Sequence, residues 1–193
     1  MNKLYVVLVS ILLVATSCED LEQFPPNIAS SGSLTDYSGV LNAAYFYQHA
    51  STSPMLVMGD FRADNALMLE APYTNFDEFT PDLTSMENQF FGPFYSGLYK
   101  SILSANNVIE NSSDATEVGE AKFLRALSYF KLVRVFGGVT INLAAEPSIT
   151  DQSILARSSA ADVYNVVISD LNDAIAALGS DIVDGRASKH AAQ

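Results

Sequence analysis

Aromatic and amide side chains are concentrated in one proline-containing segment, EAPYTNFDEF, at residues 70–79. Tyr73, Asn75 and Phe76 combine flat apolar faces with a planar hydrogen-bonding amide. This combination suits sugars, whose apolar faces stack on aromatic rings while planar polar groups bind their hydroxyls. The same rings could instead fold onto a hydrophobic core, and the sequence leaves both interpretations open.

A second polar cluster lies upstream, in GDFRADNAL at residues 59–67. Arg62, Asp64 and Asn65 could donate and accept hydrogen bonds at a ligand. We favour a structural role, in which ion pairs and caps hold a loop, but keep Arg62 beside Tyr73, Asn75 and Phe76 as a candidate ligand-binding residue.

The sequence offers little for catalysis or metal binding. Asp60 and Asp64 are four residues apart and Asp77 precedes Glu78, but such pairs are expected by chance among 22 acidic residues. A glycosidase needs two carboxyl groups held across a bond, and no nucleophile elbow, zinc-binding H-E-x-x-H or P-loop is present. We therefore predict a non-enzyme without metal or cofactor.

Composition predicts one acidic domain. The chain has 193 residues, 49% of them hydrophobic, which is enough for a core, and a formal charge of −12. Such a charge repels phosphate backbones and makes nucleic-acid binding improbable.

The N-terminus has the pattern of an export signal. Lys3 precedes the apolar run Leu4 to Ala15, which is shorter than the roughly 20 residues of a membrane-spanning helix. The following ATSC resembles a lipobox and predicts a signal peptide at 1–17 and lipidation of Cys18. The alternative is a secretory signal with a chance cysteine nearby. Residues 19–33, rich in proline and small polar residues, predict a tether that follows the lipidated cysteine.

Apolar periodicity predicts an all-α body at 34–193. Antiparallel helix pairs with long irregular loops, arranged as in tetratricopeptide repeats, fit this pattern. We expect loop, with at most one short helix, at 51–85, loop at 139–158, and a helix beginning after Ser188. The other predicted helices are Leu34–Ala50, Glu87–Glu110, the segment from the Asp114–Glu117 cap to Phe136, and the segment from Ser159 to Leu178.

Polar residues within these helices are expected to be structural. Asn106 and Asn107 adjoin an apolar stripe, and a buried amide must satisfy its hydrogen bonds, so we predict a link to a neighbouring loop. Arg125 and Arg134 lie on the most apolar helix and should pair with carboxylates or reach to its edge.

Six ordered motifs resemble the SusD/RagB family of outer-membrane nutrient-binding lipoproteins. The most specific is GEAKFLRALSYFKLVRVFGGV at 119–139. The others are CEDLEQFPP at 18–26, GDFRADNAL at 59–67, FYSGLYKSILSANNVIE at 94–110, ARSSAADVYNVVISDLNDAIAAL at 156–178 and GRASKHAA at 185–192.

The resemblance implies a helical, tetratricopeptide-like fold, anchored at the outer membrane and facing the exterior. It also implies a SusC-like TonB-dependent transporter barrel as partner and an oligosaccharide or other nutrient as ligand. Family members continue well beyond GRASKHAA, so we expect 34–193 to be an incomplete N-terminal helical domain. Two alternatives are a scaffold that docks to the transporter without its own ligand, and, less favoured, a lipid-anchored hydrolase.

Overall fold

A computed structural model describes residues 34, 36–71, 73–74, 84–147 and 155–193 of the protein. Within these ranges all regular structure is helical and no strand occurs, which confirms the predicted fold class. A 3₁₀ helix, Gln48–Ser51, joins the first two helices, while an α-helical turn, Thr84–Met86, and a π-helical turn, Glu87–Phe91, lead into the third. The main helices are α1 (Ser38–Tyr47), α2 (Thr52–Arg62), α3 (Gly92–Asn111), α4 (Ala115–Phe136), α5 (Ala160–Ala177) and α6 (Lys189–Ala192).

Helices α4 and α5 pack antiparallel. Lys122 pairs with Asp173, and a Cβ on Gly119, three residues earlier in α4, would meet Ala177, four residues later in α5. The two helices therefore run in opposite directions.

Helices α3 and α4 also pack antiparallel, because only Ser112, Ser113 and Asp114 separate them. Near one end Asn106 contacts Arg125, and towards the other the rings of Tyr99 and Tyr129 lie 6.5 Å apart. The predicted helix pairs are thus present.

Helix α4 lies at the centre of the core, as its apolar circumference predicts. It packs against α3, α5 and α1. Burial of such side chains contributes roughly 1.5–3 kcal/mol each. The main cluster consists of Phe94, Leu98, Ile102, Ala126, Tyr129, Leu132, Val133, Val139, Val163 and Val167.

The predicted caps of the later helices are confirmed. The Asp114 carboxylate accepts from the backbone N–H groups of Thr116 and Glu117, and the Ser159 hydroxyl accepts from Asp162 N–H. Ser188 caps α6 in the same way. Helix α4 ends at Gly137, whose φ of 71° suits glycine.

The structure differs from the prediction at α1 and α2. Helix α1 begins at Ser38, where the Asp36 carboxylate accepts the Ser38 N–H at 2.9 Å, four residues after the predicted start. Helix α2 occupies eleven residues of the segment expected to be mostly loop. Pro54 is its third residue, where a backbone N–H has no intrahelical acceptor, so the proline does not interrupt the helix.

In the described ranges, no helix is both long and apolar enough to span a membrane. Cys18, the signal at 1–17 and the tether up to residue 33 lie outside the described residues. The predicted division of the chain into signal, tether and helical body therefore stays a prediction.

Candidate functional site

A single π-helical turn, Glu87–Phe91, precedes α3 and borders the two cavities that form the candidate site. A π-turn holds one residue more than an α-turn and redirects the side chains that follow it, and such turns are frequent at functional sites. Gly92 ends it. A Cβ at this position would lie 2.9 Å from the Glu87 carbonyl oxygen, so the close approach favours glycine.

The first cavity contains Tyr73 and is called the Tyr73 pocket. Its volume is about 310 Å³. The Gln89 amide donates a 2.5 Å hydrogen bond to the Tyr73 hydroxyl, which fixes the ring beside the π-turn. The lining residues are Met68, Leu69, Glu70, Tyr73, Gln89 and Phe90.

The second cavity, the aromatic cleft, has a volume of about 680 Å³. Its wall is formed by aromatic rings that contact one another. Tyr95 lies 5.3 Å from Phe136 in an edge-to-face arrangement and 4.6 Å from Tyr99, yet 37% of Tyr95 remains exposed. Phe91 also contacts Phe136, at 6.3 Å. Glu87 and Thr140 add polar groups to this lining.

Arg157 closes one side of the aromatic cleft and is fixed there by the end of α4. Its Nε donates to the Gly138 carbonyl at 2.5 Å, and its Nη2 donates to the Phe136 carbonyl. A cation in this position also complements the negative end of the helix dipole. Because a guanidinium has five N–H groups, further donors are left for a ligand.

A partly buried tyrosine, Tyr99, contacts the Tyr95 ring of the aromatic cleft. Burial raises the pKa of Tyr99, and its interaction with the hydroxyl of the neighbouring Tyr95 raises it further. The Tyr99 hydroxyl donates to the Thr140 carbonyl at 2.5 Å. The Tyr99 hydroxyl therefore stays neutral in ordinary conditions. Among the described residues, no group of three His, Cys, Asp or Glu could hold a metal ion.

Of the four predicted ligand-binding residues, the structure places only Tyr73 in a cavity. Arg62 is the last residue of α2, and its side chain lies outside the described part of the chain, as do Asn75 and Phe76. The roles of all four therefore stay predictions.

The turn after α2 supports the structural interpretation of its polar residues. Asp64 adopts a positive φ of 56°, which Asp tolerates better than most residues. Asn65 N–H donates to the Asp60 carbonyl at 3.0 Å and closes the turn.

The predicted structural role is confirmed for Asn106, whereas Asn107 Oδ1 is buried without a hydrogen-bond partner among the described residues. The Asn106 amide donates to the carbonyls of Asn142 and Ala144, which ties the loop after α4 to α3. Arg125 binds Asp170, whereas Arg134 is exposed and lies over the ring of Phe130.

Sequence reasoning missed Gln89, Tyr95, Phe136 and Arg157. A signal existed for Tyr95, because it lies beside the apolar stripe through Phe94 and therefore had to face away from the core. No comparable signal existed for Gln89 or Arg157, because their partners lie 16 to 21 residues away in the chain.

The fold and its clefts define a class: an all-helical scaffold of antiparallel pairs whose cavities lie at helix ends. Residues 17–193 match the SusD-like family described as "Starch-binding associating with outer membrane". The chain belongs to this family.

Two curated relatives carry the same family name. A SusD-like protein of Formosa agariphila is 32% identical over 182 residues, which are 88% of this chain and 36% of the relative. A SusD-like protein of Bacteroides ovatus is 28% identical over 79% of this chain and 29% of the relative. The chain thus spans about a third of the length of the curated relatives it matches.

Solved structures agree in fold. A SusD superfamily protein from Parabacteroides distasonis superimposes with a TM-score of 0.68 at 22% identity, over 86% of this chain and 38% of that one. A laminarin-binding SusD-like protein superimposes with a TM-score of 0.64 at 24% identity, over 82% and 38%.

Proposed function

We propose that this chain is the N-terminal part of a surface lipoprotein that binds a nutrient glycan without cleaving it and delivers it to a SusC-like TonB-dependent transporter. The family's description as starch-binding and associated with the outer membrane supports the ligand class and the compartment. The laminarin-binding neighbour is a protein of this fold with a glycan ligand.

The π-turn is the observation that carries the glycan proposal. It places Gln89 and Phe90 at the Tyr73 pocket and Glu87 and Phe91 at the aromatic cleft. Both cavities combine aromatic rings with planar polar groups, and their volumes fall within the roughly 300–1,000 Å³ of ligand pockets. Rings stack on the apolar faces of sugars, and amide, carboxylate and guanidinium groups bind their hydroxyls.

The polar groups of the two cavities are arranged to bind and release a ligand without reacting with it. Arg157 is held by two backbone carbonyls, and the Gln89 amide is held by Tyr73. Side chains that are already hydrogen-bonded in this way orient a ligand and lose less conformational entropy on binding. Release to a transporter then requires no bond to be made or broken.

Binding is tested by replacing Tyr95 with Ala in the full-length lipoprotein. Neutral oligosaccharides, including laminarin and starch fragments, are titrated by calorimetry. Loss of a stacking ring should weaken binding by about tenfold, since 1.4 kcal/mol is a factor of ten. Tyr164→Ala is the matched control, because Tyr164 has a similar exposure, 40% against 37%, and lines neither cavity.

Two outcomes count against the proposal. If neither Tyr95→Ala nor Tyr73→Ala changes the affinity for any bound glycan, the ligand site lies elsewhere. If no glycan binds while the transporter barrel still co-purifies, the scaffold alternative is correct.

The surface location is proposed to depend on Cys18. A lipid-modified cysteine followed by the 19–33 tether would hold the helical body at the membrane, where more than one acyl chain is needed for stable anchoring. Mass spectrometry of the native protein should show an acylated Cys18 as the first residue. Accessibility to protease on intact cells tests the outward orientation, and an unmodified Cys18 would contradict the anchor.

A further inference from the structure

A third cavity, of about 340 Å³, has a chemistry unlike that of the two clefts and is called the basic pocket. Two of its lining residues are cationic, and none of its described lining residues is acidic, in a chain whose formal charge is −12. It is lined by Met55, Met58, Gly59, Phe91, Lys131, Arg134 and Val135.

Lys131 is half-buried and has no carboxylate partner among the described residues. Its ammonium donates to Gln48 Oε1 at 2.9 Å and to Ser51 Oγ at 2.8 Å, and both acceptors are neutral. An ammonium has three N–H donors, so one remains for a further acceptor. Burial lowers the pKa of Lys131, because desolvation disfavours its charged form.

The position of this ammonium is fixed by a polar network. The Gln48 amide nitrogen donates to Ser101 Oγ at 2.8 Å and to Ser128 Oγ at 2.6 Å, which aims its oxygen at Lys131. Ser51 Oγ donates to the Gln48 carbonyl at 2.7 Å, and Ser51 is only 1% exposed. The cation is therefore preorganised, so a ligand would not have to order it.

Arg134 brings the second charge to the same cavity. It lies three residues after Lys131 in α4, which places both on one face of the helix. Its guanidinium lies over the Phe130 ring at 5.3 Å, a contact that orients the side chain. A guanidinium fork matches the paired oxygens of a carboxylate or sulfate.

We propose that the basic pocket binds the anionic group of an acidic saccharide, either a uronate carboxylate or a sulfate ester. Lys131 supplies a fixed point charge, Arg134 a planar fork, and Met55 and Met58 an apolar wall for the sugar carbons. The saccharide as carrier rests on the proposed glycan binding, whereas the recognition of the anion stands on the pocket alone.

The experiment compares three oligosaccharides of equal length with the full-length protein by calorimetry: an oligogalacturonate, a sulfated galacto-oligosaccharide and a neutral galacto-oligosaccharide. Sodium sulfate and monomeric galacturonate are titrated separately. We expect at least one acidic oligosaccharide to bind about tenfold or more tightly than the neutral one, with an affinity that falls as salt rises. The acidic probe that binds identifies the anionic group.

The variants Lys131→Met and Arg134→Gln should each weaken the acidic probe by about tenfold and leave neutral glycans unaffected. Lys100→Met is the control, because Lys100 is exposed on α3 and lines none of the three cavities. Arg134 is exposed, so its replacement should not disturb folding even if that of Lys131 does.

Equal affinity for acidic and neutral probes, or an unchanged affinity in Arg134→Gln, would overturn the proposal. A failure of the proposed glycan-binding function would give a different result. If only that function were wrong, neutral glycans would not bind, while monomeric galacturonate or sulfate would still bind in a manner that depends on Lys131.

Discussion

Arg125 and Asp170 form a bidentate ion pair that joins α4 to α5. Nε and Nη2 of Arg125 donate to the two carboxylate oxygens of Asp170, each at 2.7 Å, and the side chains are only 8% and 5% exposed. Arg125 Nη1 also donates to Asn106 Oδ1 at 2.9 Å. Three successive helices of the core, α3, α4 and α5, are therefore tied together by one buried guanidinium.

Breaking this pair should strongly destabilise the protein. Asp170→Asn or Arg125→Met leaves one buried group without its partner, and such losses cost about 3–5 kcal/mol of unfolding free energy. Urea denaturation followed by circular dichroism measures the change. Lys122→Met is the control, because its pair with Asp173 joins the same helices with 22% and 52% exposure and should contribute at most about 1 kcal/mol.

Removing both charges at once should cost less than the sum of the single losses. In the double variant Arg125→Met, Asp170→Leu neither charge is left unpaired, although Asn106 loses a donor. Additive effects of the two replacements would mean that the ion pair is not the source of the stabilisation.

Gly92→Ala should disturb the π-turn. The new Cβ would approach the Glu87 carbonyl oxygen to 2.9 Å, so the backbone must shift, at a cost of about 1–3 kcal/mol. Gly39→Ala in α1 has no neighbouring atom within 4 Å and should stabilise by about 0.5–1 kcal/mol. Thermal unfolding compares the two, and a similar gain in both variants would contradict the packing argument.

Alkaline pH should destabilise the fold through buried tyrosines. Burial raises the pKa of Tyr129 from 10.0 to about 12, and burial likewise raises the pKa of Tyr45 and Tyr99. Because the unfolded chain ionises first, the unfolding free energy is fully retained below about pH 10 and declines as pH rises towards 12. For Tyr129 this difference in pKa corresponds to a loss on the order of 3 kcal/mol of unfolding free energy.

Denaturation curves at several alkaline pH values, together with tyrosinate absorbance, measure this loss. Tyr129→Phe should weaken the pH dependence while lowering stability at neutral pH, because the hydroxyl donates to the Asn142 carbonyl and accepts from Asn142 N–H. If the variant keeps the full alkaline loss, Tyr129 is not responsible for it.

The variant Gln89→Leu tests whether the Tyr73 pocket contributes to glycan binding independently of the aromatic cleft. The replacement removes the donor to the Tyr73 hydroxyl without removing bulk, and both groups lie at the surface. We expect a several-fold loss of glycan affinity with an unfolding free energy within about 0.5 kcal/mol of the unmodified protein. An unchanged affinity would assign binding to the aromatic cleft alone, which Tyr95→Ala tests directly.

Local features of the sequence predicted most of the fold. The apolar stripe through Phe94, Leu98 and Ile102 is buried as expected, and Asp114 and Ser159 cap their helices. These features depend on residues only three or four positions apart, which a single sequence displays. The segment 51–85 was harder to predict, because it lacks an apolar helical period, yet it contains α2, which Pro54 enters within the first turn.

Tertiary structure alone decided which side chains share a cavity. Lys131 meets Gln48 and Ser51, about 80 positions away in the chain, and Arg157 reaches back to the end of α4. The sequence determined an acidic, helical member of the SusD-like family with a candidate tyrosine in a loop. The aromatic cleft around Tyr95 and the basic pocket are formed by the packing of helix ends. The sequence could not predict them, because contacts between residues distant in the chain leave no periodic pattern.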